Sequence, residues 1–246
     1  MKQSIKLVLI YLAYQLLSGA LIAGLAQICP ISSISQLGYS LLLSSIAMTM
    51  HLIICKHIKL HQALRPVSLK ILLYSIGCTL GAMLFCNSLN EIIDLPNWLE
   101  NDFIALSQTL LGATAIALAA PWVEELLFRG AIMENFNKQG NSPTKGIIMS
   151  ALFFGIIHMN PAQVMFAFFM GLVLGWIAWR TRSLLPVIVG HALNNSLGVL
   201  EMITLDTDIQ LISNTHTVPT LITISISGIA IVGLSMYLLN KATIHK

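Results

Sequence analysis

Six polar residues stand in apolar surroundings at spacings that suit chemistry. Glu124, Glu125 and Arg129 lie in PWVEELLFRGAIMENF, between the apolar runs LLGATAIALAA and GIIMSALFFGIIHM. His158 ends FFGIIH, four residues after Phe154, and His191 and Asn195 share GHALNN. Glu125 and Arg129 are four apart, as are His191 and Asn195, so on helices each pair shares a face. Glu124 and Glu125 are neighbours, about 100° apart around a helix, and are fitted for different tasks. Two carboxylates side by side in low dielectric resist being charged together. Arg129, one turn on, favours Glu125 as the ionised one, which leaves Glu124 as the general base. A glutamate that takes a proton from water produces a nucleophile for a carbonyl carbon. His158, His191 and the Asn195 amide are then donors for the oxyanion that develops. The reaction this set implies is amide hydrolysis by glutamate-activated water, with no covalent nucleophile and no required cofactor. A metal version also fits: Glu124, His158 and His191 as zinc ligands, with water in the fourth position and Glu125 as base. The usual metalloprotease form HExxH is absent.

The elements that carry these residues follow from composition. The chain has 246 residues, 56% hydrophobic and 9% charged, against about 25% charged in a soluble domain. An integral membrane protein is expected, and a net charge of +3 gives no support to a nucleic-acid partner. The first apolar run is too long for a signal peptide and reads as a membrane helix. Eight apolar segments are predicted, near 5–28, 36–55, 69–89, 104–136, 144–159, 161–180, 184–203 and 217–240. The fourth is overlong and the fifth, ending at Asn160–Pro161, is short enough that it need not cross fully. The expectation is an all-α polytopic membrane protein, 1–246 forming one membrane domain, with no internal repeat.

Loop charges support that count. Lys2, Lys6, Lys56, Lys59, Arg65, Lys70, Lys138, Lys145, Arg180, Arg182, Lys241 and Lys246 all fall on one side. Glu91, Asp94, Glu100, Asp102, Glu201, Asp206 and Asp208 fall on the other. The positive-inside rule then places both termini in the cytoplasm. Of thirteen lysines and arginines, Arg129 alone belongs to neither a loop nor a helix edge. Helical rise puts Glu124 about 20 Å, His158 about 18 Å, His191 about 13 Å and Asn195 about 19 Å from the basic loops. Three segments thus deliver polar groups to one slab, expected between the cytoplasmic face and the bilayer middle. A charged group near the bilayer centre costs at least roughly 2.5–3.5 kcal/mol, so five ionisable groups at one depth argue for function.

The motifs EExxxR (Glu124–Arg129), FxxxH (Phe154–His158) and HxxxN (His191–Asn195), in this order on separate apolar segments, resemble the CPBP intramembrane proteases. This group, also called the Abi family, includes the Rce1-like type II CAAX prenyl endopeptidases. The resemblance covers roughly 104–203 and implies an eight-helix bundle. It implies Glu124 as activator of water, Glu125 and Arg129 as its support, and His158, His191 and Asn195 as oxyanion binders or water positioners. The implied substrate is a hydrophobic or lipidated (prenylated) peptide, and the implied setting a prokaryotic plasma membrane. Links to bacteriocin immunity come with the same resemblance. Rival readings are a proton-coupled transporter, disfavoured by the missing repeat, and a non-catalytic immunity or scaffold protein. GxSG and ExxH are absent, which speaks against a serine intramembrane protease and an iron oxidase. Cys29, Cys55, Cys78 and Cys86 form no CxxC and read as small buried hydrophobes. His51, His57 and His61 read as solvated or interfacial.

Overall fold

The computed structural model describes residues 1–138, 140, 142–205 and 217–244; Asp206, Asp208 and Lys246 of the charge pattern lie outside them. All regular structure in the described residues is helical. The helices are α1 (Lys2–Leu25), α2 (Ser33–Ile54), the short α3 (Leu60–Ala63), α4 (Leu69–Ile93) and α5 (Glu100–Ser107). A composite α6 (Leu110–Lys138) follows, then α7 (Pro143–Ile156), α8 (Pro161–Thr181), α9 (Leu185–Leu205) and α10 (Val218–Ile244). Six are long and apolar enough to cross a membrane: α1, α2, α4, α6, α8 and α10. The chain is a polytopic membrane protein.

The two segments missing from those six are the ones that carry imidazoles. α9 is long enough, but His191, Asn194 and Asn195 dilute its apolar character. α7 has 14 residues, about 21 Å of helix against a hydrocarbon core of about 30 Å. It therefore stops inside the bundle, as its short apolar run suggested. The break after it is sealed by protein. Asn160, fully buried, donates from Nδ2 to Asn97 Oδ1 (2.7 Å) and accepts from the Trp98 N–H (3.1 Å). Asn90 donates to the Ala162 carbonyl (3.3 Å). Non-helical backbone at this depth is tolerable because its polar groups find such partners.

The overlong fourth segment resolves into two helices. Residues 104–107 belong to α5, and α6 begins afresh after Thr109, whose hydroxyl caps the Gly112 N–H (3.0 Å). Within α6, Ala115–Ala119 and Leu126–Met133 are π-helical, flanking the α-helical Ala120–Glu125. Pro121 explains the first: it has no N–H for an upstream carbonyl, and a wider turn absorbs the defect.

The two charge sets of the sequence occupy opposite ends. At the basic end, Lys56, Lys59, Arg65, Lys138 and Arg182 border one cavity, Asn135 donates to Ser4 (3.0 Å), and Arg180 reaches the Asn240 carbonyl (3.1 Å). At the acidic end, Gln108 reaches the Met202 carbonyl (3.4 Å), beside the Asn160 cluster. The cysteine expectation holds for Cys78 and Cys86 only. Cys29 and Cys55 are exposed because they sit just past the ends of α1 and α2.

α10 packs on α4 through small residues. A β-carbon on Gly81 would lie 2.8 Å from the Gly228 carbonyl, and one on Gly228 would lie 2.6 Å from the Gly81 carbonyl. Both obstacles are backbone, so the helices touch only because both positions are glycine. Gly228→Ile is expected to cost about 1–3 kcal/mol, read as a lower melting midpoint in detergent. Ser227→Ile, on the exposed side of the same helix, should leave the midpoint in place.

Candidate active site

Glu125 is the hub. Its Oε1 accepts from Arg129 Nη1 at 2.9 Å and from His191 Nδ1 at 2.7 Å. Glu125 is fully buried and Arg129 2% exposed, so this is an ion pair without water. Arg129 Nη2 continues to the Gly171 carbonyl on α8 (3.3 Å), and its guanidinium lies 4.4 Å from the centre of the Phe154 ring on α7. One arginine thereby ties α6 to α7 and α8, and Glu125 ties α6 to α9. Gly171 permits the approach, because a β-carbon there would sit 3.1 Å from Ala151 and 3.2 Å from the guanidinium.

Phe154 holds both imidazoles by their relation to its ring, edge-on to His158 (centroids 5.0 Å) and to His191 (5.7 Å). The FxxxH spacing thus has a physical content that spacing alone did not give. His158 places Nδ1 2.7 Å from the Phe154 carbonyl. A carbonyl and a carboxylate only accept, so Nδ1 carries the proton in both histidines. The Nε2 atoms are left with lone pairs when the rings are neutral.

Glu124 faces away from the hub, as neighbouring residues on a helix must. Its Oε2 lies 3.8 Å from His191 Nε2. Glu124, His158, His191, Asn194 and Asn195 all line one cavity of about 370 Å³. Tyr11 and Gln15 of α1 and Gln163 of α8 add polar groups; Phe103, Phe166 and Met202 are among its apolar walls. Tyr11 and Gln15 were not singled out from sequence, although their i, i+4 spacing in an apolar helix is the signal used for the other pairs. Glu124 is the midpoint residue of α6, and the cavity reaches Leu99, Phe103 and Met202 towards the acidic end. His158 lies two residues past the end of α7.

A larger cavity of about 750 Å³ opens among the basic loops. It touches Arg129 but none of Glu124, His158 and His191, so the chemistry belongs to the smaller one.

Asn195 does more than line the cavity. Its Nδ2 donates to the Ile116 carbonyl at 3.0 Å, and its Oδ1 accepts from Asn194 Nδ2 at 3.0 Å. Five residues after Ile116 stands Pro121, which has no hydrogen to offer, and the Ala120 N–H goes to Ala115. Asn195 therefore satisfies a carbonyl that the proline leaves bare. Ser150 does the same at the second π segment, donating to the Phe128 carbonyl (2.8 Å).

The metal ligand set meets a mixed result. The two free Nε2 lone pairs and the Glu124 carboxylate are the right donors, and Glu125 on His191 Nδ1 is the outer-shell partner such a ligand wants. Their spacing does not close: among the described residues, the one trio of donors within 4.8 Å of one another is His51, Cys55 and His57.

Residues 106–197 match the family described as type II CAAX prenyl endopeptidase Rce1-like. Over that stretch the chain is similar to the Rce1-like family. The match takes in α6 to α8 and most of α9, and with them Glu124, Glu125, Arg129, His158, His191 and Asn195. No curated relative and no solved structure matches the chain. At family level that similarity supports an intramembrane endopeptidase of the CAAX type, set in a lipid bilayer and acting on a peptide.

Two outcomes follow for this site. Arg129→Met leaves Glu125 buried without its counter-charge and should cost about 3–5 kcal/mol, while adding Glu125→Gln should recover part of the loss in a denaturation series. Asn195→Ala should cost about 1 kcal/mol, and less in a Pro121→Ala background, where a new N–H replaces the lost donor. Equal losses in both backgrounds would assign Asn195 another task.

Proposed function

We propose that the protein is an intramembrane endopeptidase that hydrolyses a peptide bond in a hydrophobic or prenylated peptide with water activated by Glu124. The observation that carries this reading is the division of labour between adjacent glutamates. Glu125 is locked to Arg129 and His191, while Glu124 presents a carboxylate to the cavity 3.8 Å from His191 Nε2. A water about 2.8 Å from each of those two atoms fits at the apex between them. Glu124 takes its proton as it attacks the carbonyl carbon. The proton then passes to the leaving amine.

His191 has a second role in this sequence. A ring that enters the reaction already protonated is held by Glu125 at Nδ1–H and donates Nε2–H first to the water oxygen and then to the oxyanion, keeping both of its protons throughout. Asn195 has one amide hydrogen left for the same oxygen after serving Ile116. His158 closes the opposite wall. A cavity of about 370 Å³ with apolar walls suits a few side chains of an extended apolar peptide, or part of a lipid chain.

The two outward Nε2 lone pairs favour a second reading, in which Glu124, His158 and His191 hold a zinc ion that polarises the carbonyl and lowers the cost of ionising water. It requires His158 to move inward, since the three donors are not within reach of one centre. The metal-free reading needs no such movement.

The basic end is assigned to the cytoplasm by its lysines and arginines, in a prokaryotic plasma membrane. A proton-coupled transporter and a non-catalytic immunity scaffold are the competing assignments, and both predict no cleavage. The test is purified protein against a panel of hydrophobic and prenylated peptides. Wild type should cut at least one, Glu124→Gln should lose about 10²-fold or more, and His191→Ala should lose activity while remaining folded. Activity that persists unchanged in Glu124→Gln would overturn the mechanism. Activity lost on exhaustive chelation and restored by zinc would select the metal reading.

A further inference from the structure

The tightest set of metal-type donors in the described residues lies far from the proposed reaction, at the basic end of α2. His51 and Cys55 are i, i+4 and share a face of its last turn. The chain then reverses sharply. Lys56 adopts φ 57°, and the His57 N–H returns to the Leu52 carbonyl (2.9 Å). A left-handed lysine costs about 1–2 kcal/mol, so the turn is held against strain. Its effect is to lay the His57 ring over His51, with centroids 5.6 Å apart and planes 16° from parallel.

The donors converge as a result. A ring nitrogen from each histidine and Cys55 Sγ all lie within 4.8 Å of one another, with His51 Nδ1 4.0 Å from Sγ. Tetrahedral zinc with bonds of about 2.0–2.3 Å sets ligand separations of about 3.4–3.6 Å, a small contraction for three side chains at a helix end. His51 and His57 are half-buried and Cys55 is exposed, which gives both shelter and entry. Tyr14 of α1 meets the His51 ring edge-on (centroids 5.8 Å), and its hydroxyl, 3.2 Å from the same Nδ1, gives up that nitrogen when the ion binds there.

Electrostatics act in both directions. The C-terminal carbonyls of α2 favour a cation at this point. Lys6, Lys56 and Lys59 oppose a second positive charge. The thiolate offsets part of that, since Cys55 releases its proton to solvent as the metal–sulfur bond forms.

We propose that His51, Cys55 and His57 form a binding site for a zinc-class divalent ion, with two imidazole nitrogens, one thiolate and a water as ligands. The site joins α2 to the loop that follows it and, through Tyr14, to α1. It is separate from the Glu124 cavity and does not depend on the peptidase reading.

The probe is cobalt(II) titrated into the purified, reduced protein, followed by zinc as competitor. Wild type should bind one equivalent with a thiolate-to-cobalt charge-transfer band and tetrahedral visible bands, both removed by zinc. Cys55→Ser should abolish the charge-transfer band, and His57→Gln should weaken binding at least about tenfold. Cys29→Ser, which removes the other exposed cysteine, and Glu124→Gln, which alters the reaction cavity, should leave the spectrum intact. The proposal is overturned by wild type without a thiolate band, by a band that survives Cys55→Ser, or by one that follows Cys29 or Glu124.

Discussion

One carboxylate oxygen organises the bundle. Glu125 Oε1 accepts from a guanidinium and an imidazole at once, at 2.9 and 2.7 Å, in a fully buried setting. A buried carboxylate is tolerable only when its charge is matched. That requirement fixes Arg129 one turn on, draws His191 from α9, and sets the tautomer of that ring. The same arginine needs further partners and finds the Gly171 carbonyl and the Phe154 face. Helices α6, α7, α8 and α9 are therefore positioned by one ion pair and its satellites. Glu124 is free for other work because its neighbour has taken the structural role.

The defects in the helices belong to the same design. Membrane helices satisfy their own backbone, so a break or a proline leaves a bare group that must be met from another element. Pro121 bares Ile116, and Asn195 answers; the carbonyl of Phe128 in the second wide turn is met by Ser150; after the break at Asn160 the Ala162 N–H and carbonyl are met by the Pro96 carbonyl and Asn90. Each repair recruits a residue from a neighbouring segment. Irregular backbone next to Glu124 thus costs little, and it opens room for a cavity that regular helices would fill.

Much of this was legible in the sequence, for identifiable reasons. Arg129 stood out because every other cation had a loop or helix edge to go to. The i, i+4 pairs named the right faces, and the short fifth segment announced its own interruption. Asn195 read as a donor for chemistry, while its first bond is to backbone. A pattern of residue types does not reveal that Pro121 creates a vacancy five residues upstream, because that depends on which hydrogen bond each turn selects. Tyr11 and Gln15 were hidden for another reason: one amphipathic pair in α1 has no motif to join. His51 and His57 read as solvated or interfacial, and Cys55 as a buried hydrophobe, because the reversal at Lys56, a non-glycine in a glycine-like conformation, carries no sequence signal.

The two cavities approach each other from opposite ends of the bundle, Arg129 touching one and Glu124 the other. A hydrolase embedded in lipid needs a supply of water, yet a continuous wet path would short-circuit the gradients its membrane maintains. The Glu125–Arg129 pair, stacked against Phe154, stands between the two basins as a fixed-charge partition. A pair so placed keeps the two basins from merging into one continuous polar channel through the bundle.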